Sequence, residues 1–126
     1  MARILVIDED RVLRCTVESI LVSEGHAVVA ARSGYEGLTR LRCCSFDLVA
    51  CDAAMAHGEG LETIWEMRDL RADLPIIAFT EGSDAAGAGL PRIGIRPGGT
   101  EILAKPFRRQ ELLAVVRRCL PSVAGS

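Results

Sequence analysis

The sequence predicts an α/β fold, a doubly wound sheet of five parallel strands with helices on both faces. Three observations predict it. Short apolar runs alternate with segments of helical period along nearly the whole chain, as successive βα units require. The runs are unbroken rather than alternating, the pattern of strands covered on both sides. The links between elements are short, which suits consecutive crossovers onto one sheet.

The first run, RILVI (3–7), ends against a row of acids. Leu13, Val17, Ile20 and Leu21 then recur at the spacing of one helix face, and Gly25 suits the C-terminus of that helix. AVVAA (27–31) is the second strand, and Gly34 to Cys43 a short helix carrying Leu38 and Leu41. DLVAC (47–51) is the third strand. A third helix is expected from near Glu59, burying Leu61, Ile64 and Met67 before Leu74-Pro75 ends it. IIAF (76–79) is the fourth strand. The stretch 82–99 is dense in glycine and holds Pro91 and Pro97. Gly lowers helix stability by ~1 kcal/mol relative to Ala, and Pro by ~3 kcal/mol in an interior, so only a turn or two around Ala85 to Leu90 is expected there, followed by loop. EILA (101–104) is the fifth strand, and RRQELLAVVRRCL (108–120) a final helix with Leu112, Val115, Val116 and Cys119 inward. Residues 1–121 are expected to form a single domain, with 122–126 a frayed tail.

Composition narrows the function classes. At 126 residues the chain fits one domain with a real core. A net charge of −2 gives no electrostatic footprint for nucleic acid or an anionic membrane. The basic residues between Lys105 and Arg118 are spaced as a solvated helix face. No apolar run approaches the ~20 residues of a membrane span, and MARILVIDED lacks the form of a signal peptide. The five cysteines (Cys15, Cys43, Cys44, Cys51, Cys119) show neither a CxxC pair nor zinc spacing, so reduced thiols and a cytoplasmic location are expected.

In sheets of this kind ligands sit beyond the carboxyl ends of the strands. Strand one delivers Asp8, Glu9 and Asp10 there, strand three Asp52, strand four Thr80, and strand five Lys105 with Pro106 after it. Clustered carboxylates repel, and one holds its proton unless a cation intervenes. A hard divalent ion, Mg2+ before Ca2+, suits a site of carboxylates, a carbonyl and waters. Lys105 supplies a compact positive charge for Asp52 or for an anion attached to it. A carboxylate beside a divalent ion and a lysine is a nucleophile toward phosphorus.

These motifs, ILVIDED, DLVACDAAMAHGEGLE, PIIAFT and EILAKPF, resemble those of the receiver (response-regulator, CheY-like) domain of two-component signalling, in order and over essentially the whole chain. The resemblance implies a flavodoxin-like strand order 2-1-3-4-5, here with a short or irregular fourth helix. It places Asp52 as the phosphoacceptor, Asp8, Glu9, Asp52 and the backbone carbonyl of Ala54 as Mg2+ ligands, and Thr80 and Lys105 as contacts to the phosphoryl group. Phe107 lies behind Lys105, and Lys105-Pro106 fits the family's cis bond. The implied partners are a sensor histidine kinase or phosphotransfer protein and an unknown downstream protein. A signalling phosphoacceptor is expected, one that assists only its own phosphotransfer and dephosphorylation. Small residues at Ala54 and Gly82, which flank the attacking water in the family, imply an acyl phosphate that hydrolyses readily.

The chain also departs from the family. Ala56 and His57 replace its usual proline and glycine, while Glu59 and Gly60 remain. Glu81 stands where a small residue normally follows the threonine, and Ile102 replaces the switch aromatic. Thr80 and Lys105 are 25 positions apart (105 − 80), a few more than usual. These changes motivate the alternative of a degenerate receiver that binds its partner whether or not Asp52 is phosphorylated. Flavin binding would need a phosphate loop after strand one, where DEDR is acidic; a phospho-aspartate hydrolase would need a carboxylate at position 54, which is Ala54. Taken singly, Asp52 and Thr80 would be helix-entry residues, Asp10 the cap of helix one, His57 an exposed loop residue, Cys51 a core thiol and Trp65 a packing residue.

Overall fold

The computed structural model describes residues 1–81 and 99–120. The five strands form one parallel sheet: β1 (Arg3–Ile7), β2 (Ala27–Ala31), β3 (Leu48–Asp52), β4 (Ile76–Glu81) and β5 (Thr100–Lys105). Their spatial order is β2-β1-β3-β4-β5, as the resemblance implied. The helices are α1 (Arg11–Ser23), α2 (Gly34–Cys43), α3 (Glu59–Leu70) and α4 (Arg109–Cys119), with a single 3-10 turn over Ala56–Gly58. The irregular helical segment expected near 85–90 and the tail at 122–126 lie outside the described residues.

Local chemistry sets the element ends. Asp10 caps α1, its Oδ1 accepting from Val12 N at 3.0 Å and Leu13 N at 3.3 Å, which offsets two otherwise unpaired donors. Gly25 takes φ 90°, the left-handed turn that stops α1. Ser33 Oγ caps α2 by accepting from Glu36 N. In place of a side-chain cap on α4, Arg108 N donates to Glu111 Oε1 at 2.8 Å.

Strand alternation divides the core. Ile4, Val6, Leu48, Ala50, Ile77 and Phe79 face α1 and α4, packing with Val17, Leu21, Leu112 and Val116. Leu5, Ile7, Val49, Cys51, Ile76 and Ala78 face α2 and α3, packing with Leu38, Leu41, Ile64 and Met67. Each fully buried Val, Leu, Ile, Phe or Met among them stabilises the fold by ~1.5–3 kcal/mol before entropy is counted.

The boundaries differ from expectation where polar residues end strands. β3 runs 48–52 rather than 47–51: Asp52 joins it by pairing with Phe79, and Asp47 precedes it, its N–H donating to Arg3 O and its Oδ2 accepting from Arg3 N, both at 2.8 Å. β4 and β5 extend to Glu81 and Lys105, held by the pairings Thr80↔Ala104 and Glu81↔Lys105. On α3 the buried face is Gly60, Thr63, Ile64, Met67 and Arg68. Leu61, expected inside, is only half-buried, and the helix stops at Leu70.

Candidate functional site

The strand register brings the polar residues to one edge. Ile7 pairs with Cys51, so Asp8 and Asp52 stand one step beyond the same rung of neighbouring strands. Asp52 pairs in turn with Phe79, which sets Thr80 one residue farther out, and Lys105 closes the edge on β5.

Asp8 is fully buried. Its Oδ1 accepts from Asp10 N at 2.9 Å, and its carbonyl oxygen accepts from Arg14 Nη1 at 2.8 Å. Asp52 is 4% exposed, and its Oδ1 accepts from Ala54 N at 2.9 Å, an Asx turn that fixes the carboxylate plane. The remaining oxygens share one cation: Lys105 Nζ lies 3.2 Å from Asp8 Oδ2 and 3.3 Å from Asp52 Oδ2. Glu81 Oε1 is 3.9 Å from the same ammonium, on a side chain two-thirds exposed. Glu81 therefore turns to water at the rim and competes weakly for Lys105.

Burial pushes the Asp8 carboxyl above its ordinary range, with the Asp52 charge adding to the shift and the Asp10 N–H and Lys105 opposing it. Burial would lower the Lys105 ammonium, yet Asp52 and Asp8 together outweigh it and hold Lys105 above its ordinary range. One ammonium thus serves two buried carboxylates. Thr80 Oγ1 is buried and has no hydrogen-bond partner among the described residues, the state of a hydroxyl placed for a ligand oxygen. Phe107 packs on Phe79 with ring centroids 5.0 Å apart, and the Lys105–Pro106 bond is cis, as the motif implied.

Glu9 takes a different course. Its side chain is exposed, and Oε1 accepts from Ala56 N at 3.3 Å. Among the described residues no three Asp, Glu, His or Cys side chains stand together as a ligating group. Asp8 and Asp52 are nevertheless hard oxygen donors at one place, and two carboxylates with waters suffice for Mg2+. The donor set fits that ion. Two further residues shape the site: Arg14, which the sequence did not single out, and Gly60, kept from the family pattern but with no packing role assigned to it there. Arg14 holds the end of β1, and its only signal was a cation beside the apolar stripe of α1. Gly60 lets α3 approach the strand end: a Cβ there would lie 2.2 Å from Asp52 O and 2.7 Å from Ala53 C. Ile102, at the switch position, is more than a third exposed on β5. No helix among the described residues is long and apolar enough to cross a membrane.

Comparison with known proteins agrees with this geometry. The family model described as the response regulator receiver domain matches residues 4–117. The response regulator MprA of Mycolicibacterium vanbaalenii is 35% identical over 118 residues, covering 94% of this chain and 50% of that protein. The Mycobacterium avium MprA is 34% identical over the same shares. The chain thus spans half the length of these curated relatives. Among solved structures, the response regulator TrrA from Thermotoga maritima, in complex with Mg2+-BeF, superposes with a TM-score of 0.81 at 30% identity, covering 95% of this chain and 100% of that one. The chemotaxis protein CheY4 of Vibrio cholerae gives 0.80 at 27% identity, covering 95% and 99%.

Proposed function

The chain belongs to the response regulator receiver domain family, the phosphoacceptor domains of two-component signalling, and on that premise we propose that Asp52 is its phosphoacceptor. The single observation that carries the assignment is the shared ammonium, Lys105 Nζ at 3.2 Å from Asp8 and 3.3 Å from Asp52, with the Thr80 hydroxyl, unpartnered among the described residues, on the next strand. An oxygen of Asp52 attacks the phosphorus of a phosphohistidine, the imidazole nitrogen leaves, and an acyl phosphate forms on the carboxylate. Lys105 then pairs with the new anion while Asp8 stays behind it, and Thr80 Oγ1 donates to a phosphoryl oxygen. Asp8, Glu9, Asp52 and the Ala54 carbonyl are the residues that would hold Mg2+, which when bound neutralises charge on the transferring oxygens. The Mg2+-BeF complex of TrrA supports this choice of ion.

The phosphodonor in this reading is a sensor histidine kinase or phosphotransfer protein, and output passes through contact with another protein in the cytoplasm. Residues 1–121 form the receiver unit, which acts as a phosphoacceptor rather than as an enzyme on other substrates. The test is incubation with Mg2+ and acetyl phosphate followed by intact mass. One added phosphoryl group is expected, absent from Asp52→Asn and strongly reduced without Mg2+. An unmodified wild-type chain under those conditions would refute the assignment and favour the phosphorylation-independent binding module.

A further inference from the structure

Glu9 stands apart from the acids it follows. Its Oε1 accepts from the Ala56 N–H at 3.3 Å across 47 residues of sequence, which ties the end of β1 to the loop after β3. The same loop carries the Ala54 N–H that holds Asp52. With Glu9 turned to the loop, no group of three acidic, histidine or cysteine side chains forms among the described residues, although Asp8 and Asp52 already meet at Lys105. The tie exists because residue 56 keeps a backbone donor. A proline there would have none.

We infer that Glu9 and the Ala56 N–H form a latch that closes the β3–α3 loop onto β1 and holds Glu9 away from the acid site, opening when Glu9 turns to a hard divalent cation beside Asp8 and Asp52. The inference rests on the metal site of the proposed function. Because one carboxylate serves either the loop or the ion, loop closure and cation binding oppose each other by a common factor. A latch closed about four-fifths of the time weakens apparent cation affinity about fivefold. The loop is thereby made sensitive to site occupancy at the two positions, Ala54 and Ala56, whose N–H groups hold acids of the site.

Proline is acceptable at position 56. Met55 has φ −62° and ψ 153°, the extended conformation that a residue before proline adopts, and residue 56 opens a 3-10 turn where a proline nitrogen loses no helical bond. Calorimetric Mg2+ titration should show Ala56→Pro binding about three- to tenfold tighter than wild type, with Ala56→Gly, which keeps the donor, within about twofold of wild type. In a Glu9→Ala background the proline should make no difference, which separates the latch from any general stiffening of the loop. Independently of metal, the Ala56 amide resonance should move on Glu9→Ala, and in wild type Mg2+ should move it the same way. If wild type binds Mg2+ but Ala56→Pro gains nothing, or gains as much without Glu9, the latch is overturned and the phosphoacceptor reading stands. If the Ala56 amide ignores Glu9→Ala, the latch is likewise overturned. If wild type binds no Mg2+ and takes no phosphoryl group from acetyl phosphate, the reading itself fails and the latch with it.

Discussion

At the scale of single residues, the site is an unequal contest for one ammonium. Asp8 and Asp52 reach Lys105 at 3.2 and 3.3 Å from buried positions, whereas Glu81 does so at 3.9 Å from water and contributes little. Two buried carboxylates are more negative charge than one lysine offsets, and the burden falls on Asp8, whose carboxyl is pushed up by burial and by Asp52. A carboxyl raised in the folded state holds its proton longer than the unfolded chain does. Its ionisation therefore works against folding as pH rises through the folded value. Lys105, also raised, has the same sense at higher pH: its pairing with the two carboxylates stabilises the fold at neutral pH and is lost as pH rises above its ordinary alkaline range through the folded value. In EDTA-treated protein at pH 7, Asp8→Asn should raise the urea midpoint above wild type, and the gap should shrink at acid pH where the wild-type carboxyl is protonated. The same variant should lose Mg2+ binding, so that stability rises as the site is disabled. A lower midpoint at neutral pH would show that the Lys105 pair outweighs burial.

At the scale of elements, the link between α3 and the end of β3 decides how the site is held. Gly60 has no room for a Cβ, which would press on the backbone of Asp52 and Ala53 rather than on a side chain able to move aside. Gly60→Ala should cost about 1–3 kcal/mol of stability and slow acetyl-phosphate labelling, both measurable on one preparation by urea unfolding and intact mass. Unimpaired labelling would mean that α3 shifts without disturbing the acids. This contact also explains what the sequence left unread. With Gly60 set against the strand end, the inward face of α3 becomes 60, 63–64 and 67–68, which moves Leu61 to the margin and Arg68 inside. Arg68 then donates to the carbonyls of Ala72 and Leu74 and, at 2.9 Å, to Thr100 Oγ1. Hydrophobic spacing says that α3 is amphipathic but not how it is rotated, since rotation comes from a backbone contact made elsewhere. Strand number, the parallel sheet and the convergence of Asp8, Asp52, Thr80 and Lys105 were legible because apolar runs and the residues ending them are local, whereas the strand order came only through the resemblance of the motifs to the receiver family. The final strand residues were not, because ladder bonds such as Glu81↔Lys105 extend strands past their apolar stretch. Neither was the Glu9–Ala56 bond, a side chain meeting a backbone N–H across 47 residues.

At the scale of the whole molecule, the sheet carries a separate apolar cluster on each face, and a cysteine sits in each. Cys119 belongs to the α1/α4 side and Cys51 to the α2/α3 side. Burial pushes the Cys119 thiol up to about 11, with Glu101 adding to it. The Cys51 thiol, fully enclosed, is raised well above its ordinary value by burial first and by the Asp52 charge next. Neither presents thiolate to reagent in the native state, whereas Cys15 and Cys43 are exposed. The two clusters share strands β1, β3 and β4, so neither can lose its packing while the other keeps a backing. A small domain built this way unfolds in one step. Pulse alkylation across a urea series, read by peptide mass, should therefore find Cys15 and Cys43 modified from the start. Cys51 and Cys119 should become reactive together, at one midpoint shared with the loss of helical circular dichroism. Addition of Mg2+ should move both midpoints upward by the same amount, because an ion bound at the strand ends stabilises only the state in which both faces are packed. Cys119 reacting well before Cys51 would show that the α1/α4 face opens alone.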